Sequence, residues 1–173
     1  MRALITGLIL PLCAALGLWW LARAGIAPGS ALDLLRPGPD VVAAYKHLPG
    51  AALHLHVFRA RGPRPSATAP LLVFVHGGGW EVGDASQFYP QCRVFSARGL
   101  DCVSVEYRVR SRHGSSPGDA VQDLRDALRH LRRHHAALGL PLAHLVLGGG
   151  SAGGHLAAAM ATALPWPDPD ADP

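Results

Sequence analysis

The stretch HLVLGGGSAGGHLAA, residues 144–158, decides how the rest of the chain is read. A short apolar run, Leu145–Leu147, gives way to glycines and then to an Ala-rich segment, Ala152–Leu164. Apolar, glycine, alanine in that order reads as strand, tight turn and helix. Inside the turn, Gly149-Gly150-Ser151-Ala152-Gly153 has the spacing G-x-S-x-G. A serine at that place sits on a strained turn with its hydroxyl exposed. The following N–H, from Ala152, points at the same spot, and the flanking glycines relieve crowding. The helix N-terminus adds partial positive charge beside an incipient anion.

Working outward, the same alternation recurs. Leu71–His76 is a continuous apolar run, as expected of a strand buried on both faces. A helix is predicted from a Ser86 cap to about Arg98, with Gly99 ending it. Leu100–Tyr107 is the next strand and Arg108–Pro117 a polar loop. A helix from Asp119 to about Leu138 carries Val121, Leu124, Leu128 and Leu131 on one face. Its acids, Asp119, Asp123 and Asp126, precede its arginines, Arg129, Arg132 and Arg133, which suits the macrodipole. From residue 71 the order is strand, helix, strand, helix, strand, helix, which implies a parallel sheet with helices on its faces. Before it, Val41–Leu48 and Ala51–Arg59 are strands joined by a Pro49-Gly50 turn. In the second strand Leu53, Leu55 and Val57 alternate with His54, His56 and Phe58, and the histidines are expected to face water.

A second glycine loop, His76-Gly77-Gly78-Gly79-Trp80, follows the strand at 71–76. Three glycines let the chain turn sharply and present bare N–H groups, the donors that a developing oxyanion needs. Acyl transfer requires both a nucleophile and such donors, so the two loops together say more than either alone. Gly148 to Gly153 also fits G-x-G-x-x-G. That dinucleotide fingerprint needs an acid at the end of the next strand, about 20 residues on. The acids near that offset, Asp168, Asp170 and Asp172, lie in a Pro-rich tail, and the reading leaves HGGGW unexplained.

The set HGGGW (76–80), VSVEYR (103–108), the helix D-x-x-x-D-x-x-x-A-L-R-H-L (119–131) and GGGSAGGHLAA (148–158) resembles the α/β-hydrolase superfamily. Within it the likeness is to hormone-sensitive-lipase-like and acetyl-esterase or feruloyl-esterase-like carboxylesterases, over about residues 45–164. The resemblance implies an α/β fold with a mostly parallel sheet and an N-terminal antiparallel hairpin, cut before the C-terminal strands. It implies Ser151 as nucleophile and the N–H groups of Gly78, Gly79 and Ala152 as oxyanion donors. Gly77, Trp80, Gly149 and Gly153 shape the two loops, and His76 is a structural hydrogen-bonder rather than the general base. The substrate implied is a small-molecule or carbohydrate-linked acyl ester, with no cofactor. The chain departs from the family in one respect. In α/β-hydrolases the acid and the histidine follow the serine. Here His155 is the sole later histidine, one turn into the helix, where a side chain packs. The triad's acid and histidine are therefore expected outside the chain, which alone would be inactive or very weak. A catalytically inactive, membrane-anchored remnant is the alternative. A prolyl-oligopeptidase-like peptidase shares the serine turn but not the HGGG loop.

The remaining features bound the setting. The chain has 173 residues, 49% of them hydrophobic and 16% charged, which supports a packed core and excludes global disorder. The net charge of +4 is scattered, so nucleic acid is not expected as a partner. Residues 1–24 read as an export signal, either cleaved or kept as an anchor through the apolar run 3–22. The protein is then secreted, periplasmic or membrane-attached. Residues 25–40 read as a linker, 41–164 as the hydrolase part and 165–173 as a Pro/Asp-rich tail. Cys92 and Cys102 are expected as two small buried hydrophobes, although export permits a disulfide. Asp126, His130 and His134 share one helix face, but without a fourth ligand they read as solvated rather than as a metal site. Glu81 and Asp84 either line a pocket or sit on a surface loop. Arg108, Arg110, Arg112 and His113 form a basic loop, either solvated or steering an acidic substrate.

Overall fold

The computed structural model describes residues 38–66 and 68–162. The export segment, most of the linker and the tail lie outside them. Strand β1 (Val41–Leu48) and strand β2 (Ala51–Phe58) form an antiparallel hairpin. Gly50 at its corner takes φ 75°, a conformation that favours glycine. A bulge between Ala44 and Lys46 re-aims Tyr45, whose hydroxyl donates to the Glu106 carbonyl at 2.6 Å. Strand β3 (Leu71–Val75) and strand β4 (Cys102–Val105) are parallel partners, and β5 (Leu145–Gly149) joins β3 in parallel on its other side. The order is β1-β2-β4-β3-β5, with β2 antiparallel to β4. The result is a parallel three-stranded half extended by an antiparallel hairpin.

Helices cover both faces, making three layers. Helix α1 (Tyr89–Ala97) packs on one side, where Phe58, Leu72, Cys92 and Cys102 are buried together. Helix α2 (Arg110–His113) is a single turn inside the expected loop. Helices α3 (Pro117–His134) and α4 (Ala152–Thr162) cover the other side. There Leu55, Val57, Val73, Val75, Val103, Leu124, Leu131 and Leu156 are fully buried.

Helix boundaries differ from the expected ones for local reasons. The stretch expected as one helix from Ser86 is a 3-10 turn, Ala85–Phe88, followed by α1. Asp84, not Ser86, caps it, accepting from the Ser86 N–H at 2.8 Å. Pro90 then opens α1, as proline suits a first helical turn. Helix α3 starts two residues before Asp119, because Ser116 and Asp119 form a capping box around Pro117. It ends at His134, and residues up to Gly139 close as a turn in which Leu140 donates back to the His135 carbonyl.

Two expectations are corrected. Cys92 and Cys102 are both fully buried, but they are joined in a disulfide that ties α1 to β4. The inward face of α1 brings the Cα atoms to 5.3 Å, within bonding range. His54 and His56 do not simply face water. His54 Nδ1 and His56 Nε2 each donate to the Glu106 carboxylate at 2.9 Å, and Tyr89 completes the row by donating to His56 Nδ1 at 2.6 Å. Burial pushes the Glu106 carboxyl up, but the donors of His56 and His54 hold it down at about 2.

Asp123 is the most telling residue of the framework. Its side chain has 0% exposure, yet it accepts from Lys46 Nζ at 2.7 Å and from Arg108 Nε and NH2 at 2.8 Å each. Burial raises its pKa, but Arg108 and Lys46 outweigh that and hold it below the usual range. Arg108 thus belongs to a buried ion cluster and not to a free basic loop.

Candidate active site

The parallel pairing of β3 with β5 sets Val75 opposite Gly149. The chain leaves both strands at their C-terminal ends, where open α/β sheets bind ligands. HGGGW and the serine turn therefore emerge side by side. Glycine is required by contact as well as by conformation. A Cβ on Gly153 would collide with the Val75 carbonyl, and one on Gly149 with the backbone of Gly153. A Cβ on Gly77 would come to 2.8 Å from the Gly150 oxygen. The two loops touch backbone to backbone because neither carries a side chain there.

Ser151 is exposed and has φ 50°, one of only two non-glycine residues with positive φ among the described residues. Such strain persists only where the surroundings enforce it. Here the Gly150 N–H donates to the Val75 carbonyl at 3.3 Å before the turn, and α4 begins directly after it. The Ala152 N–H lies at the open N-terminus of α4. Among the described residues, the Ser151 hydroxyl has no hydrogen-bond partner. His155, one turn on, is exposed and meets Trp80 edge to face at 5.4 Å.

The HGGG loop is held peptide by peptide. In a trans peptide the C=O of one residue and the N–H of the next point in opposite directions. Fixing a carbonyl therefore aims the following N–H. The His76 carbonyl accepts from the Tyr107 hydroxyl at 3.0 Å, and the Gly77 N–H of the same peptide donates to Gln87 Oε1 at 2.6 Å. The Gly77 carbonyl accepts from His76 Nδ1 at 2.8 Å, which orients the Gly78 N–H. The Gly78 carbonyl accepts from the Glu81 and Val82 N–H groups at 3.0 Å each, which orients the Gly79 N–H. The Gly78 and Gly79 donors thus belong to peptides whose far ends are fixed, the preorganisation that electrostatic catalysis relies on.

His76 is fully buried and stacks on the Tyr107 ring at 4.1 Å. Burial is the main cause that lowers its pKa. Since Nδ1 faces a carbonyl, it carries the proton, and Nε2 is left without a hydrogen bond among the described residues. Burial also pushes the Tyr107 phenol up to about 12, so it stays a donor.

The neighbouring loops brace this end of the sheet. Asp84 is a cap and also lines a pocket of about 240 Å³ with His54, Glu106, Arg112 and His113. Arg112 donates to the Gly83 carbonyl at 2.6 Å, and the His113 ring folds onto the Val109 backbone. Arg110 and Glu81 are exposed and 4.0 Å apart. Glu81 also lines a pocket of about 90 Å³ with Gly79, Trp80, Arg110, Ser115 and Pro117. On α3, Asp126 is engaged by Lys46, Gln122 and Arg129, while His130 and His134 pack ring to ring at 4.4 Å. No three His, Cys, Asp or Glu side chains converge on a metal position among the described residues. Gln87 and Tyr107 were not singled out by sequence. Gln87 sits in what reads as a helix, and Tyr107 reads as a strand end, so neither announces a contact with the loop.

The fold and this pair of loops define an α/β-hydrolase of carboxylesterase type, and comparison with known proteins agrees. The BD-FAE family model matches residues 61–165, and the chain belongs to that family. Carboxylic ester hydrolase LipN of Mycobacterium tuberculosis is 33% identical over 73% of this chain and 39% of its own length. Esterase Est2 of Thermogutta terrifontis, solved with propionate bound, superposes with a TM-score of 0.63 at 41% identity. That match covers 70% of this chain and 44% of the Est2 chain, and a butyrate-bound form of Est2 matches equally well. The chain spans less than half the length of these relatives.

Proposed function

We propose that the chain carries the nucleophile and oxyanion half of a serine carboxylester hydrolase. Ser151 attacks the ester carbonyl, and the N–H groups of Gly78, Gly79 and Ala152 receive the tetrahedral oxyanion. The observation that carries this reading is the strained, exposed Ser151 lying against an HGGG loop whose peptides are individually fixed. The triad's acid and histidine come from the part of the relatives' length that this chain does not span. The present stretch alone is a poor catalyst, since losing a triad histidine in a serine protease costs about 10⁶-fold in kcat. The substrate is a short-chain or carbohydrate-linked acyl ester. The propionate and butyrate held by Est2 favour a short acyl group. Residues 1–24 direct export and 3–22 can anchor the chain in a membrane. The Cys92–Cys102 disulfide suits the oxidising compartment such export implies.

A fluorophosphonate probe tests the reading. A form extended to the relatives' length labels at Ser151, Ser151→Ala abolishes the label, and the present stretch labels weakly. An extended form that stays unlabelled with Ser151 intact would refute the esterase.

A further inference from the structure

We infer that Gln87 is a positioning residue for the oxyanion donors, acting through the Gly77 N–H and clamping the 3-10 turn onto both glycine loops. This rests on the ester-hydrolase reading above. Three glycines in a row let the HGGG loop approach the serine turn, but they also leave its peptide planes free to flip, since no Cβ restricts them. Each plane must therefore be held from outside. The bonds at the Gly77 and Gly78 carbonyls come from the loop itself, through His76 and through the turn at Glu81 and Val82. The plane between His76 and Gly77 is held by two side chains from elsewhere, Tyr107 on the carbonyl and Gln87 on the N–H. Gly77 is buried, so its N–H without Gln87 would lack an acceptor.

Gln87 is also placed to transmit that hold. Its neighbour Phe88 stacks on Phe74 of β3 at 4.9 Å. A Cβ on Gly150 would stand 3.6 Å from the Phe88 ring and 3.9 Å from Gln87 Oε1. The turn Ala85–Phe88 thus packs against the residue before the nucleophile while its glutamine grips the residue before the first oxyanion donor. The far end of the turn is fixed by Ser104, which donates to the Ala85 carbonyl at 2.8 Å. Glutamine suits this place because an uncharged amide oxygen accepts the bond without setting a negative charge beside a developing oxyanion.

The test uses the extended, labelling-competent form with glycine amides labelled by ¹⁵N, and a propionate ester as substrate. Gln87→Leu and Gln87→Met keep the bulk but remove the acceptor; Gln87→Glu keeps an acceptor oxygen. The expected result for the first two is a kcat lower by about 10-fold or more with KM little changed, because donors are misaimed rather than removed. The Gly77 amide exchanges faster with solvent in the same two variants, while amides in β3 and β4 stay protected. Gln87→Glu restores Gly77 protection, and its kcat lies between those of wild type and the two other variants, because its carboxylate sets a negative charge beside the developing oxyanion. Unchanged kcat in Gln87→Leu and Gln87→Met overturns the inference, and so does a kcat loss with Gly77 still protected. Wild type that neither labels at Ser151 nor turns over ester brings down the esterase reading and this role with it. Wild type that labels normally while the variants match it brings down this role alone.

Discussion

Ser151 keeps a left-handed backbone at φ 50° that a glycine would adopt without cost. Left-handed conformations cost an ordinary residue roughly 1–2 kcal/mol. Ser151→Gly is therefore expected to raise unfolding stability by about 1 kcal/mol, while Ser151→Ala gives no comparable gain. Urea denaturation of the two variants checks this. A Ser151→Gly protein no more stable than Ser151→Ala would show that the turn stores no strain. The same residue illustrates what sequence makes legible. G-x-S-x-G fixes the serine's place and its glycines, because both follow from the geometry of one tight turn. Gln87 leaves no such trace. Its role depends on where a 3-10 turn lands after Asp84 takes the cap, a matter of a few residues' offset from the expected helix.

At the scale of elements, α3 shows the same division. Leu124, Leu128 and Leu131 repeat at helical spacing and are buried as that spacing predicts. Asp123 falls among the acids that read as a complement to the macrodipole, yet it is the buried partner of Lys46 on β1 and Arg108 after β4. Its burial depends on cations brought in from 77 and 15 residues away, which no local pattern encodes. Asp123→Asn is nearly isosteric but removes the buried anion that Lys46 and Arg108 share, leaving them only the more exposed Asp126 and Asp119. Breaking a buried ion pair costs about 3–5 kcal/mol, and a loss of that order in chemical denaturation is expected. A loss under about 1 kcal/mol would mean the cluster is solvent-screened like a surface pair. The bond from Arg108 N–H to Asp123 also fixes the chain just after Tyr107, so α3 reaches the HGGG loop through one residue.

For the whole molecule, strand alternation made the parallel half legible, since β3, β4 and β5 are each followed by helix. The antiparallel join of β2 to β4 and the pairing of two cysteines were not, because both are set by packing across the sheet. The Cys92–Cys102 bond closes a short loop between α1 and β4. Chain-entropy reasoning gives a loop of that size about 2–3 kcal/mol. Replacing both cysteines by alanine should lower unfolding stability by about that amount, and dithiothreitol should produce the same drop in the native protein but none in the variant.

The strand order has a consequence in time. Strand β5 lies at the sheet edge beside β3 among the described residues, with Val146 52% exposed, and it follows the other four in chain order. The bonds to the peptides from His76 to Gly78 come from His76, Glu81, Val82, Gln87 and Tyr107, all before residue 108, whereas Arg110, Ser111 and Arg112 brace the following stretch from Trp80 to Gly83. Chains emerge from the ribosome N-terminus first. The bonds that hold the peptides from His76 to Gly78 can thus form before Ser151 has been synthesised.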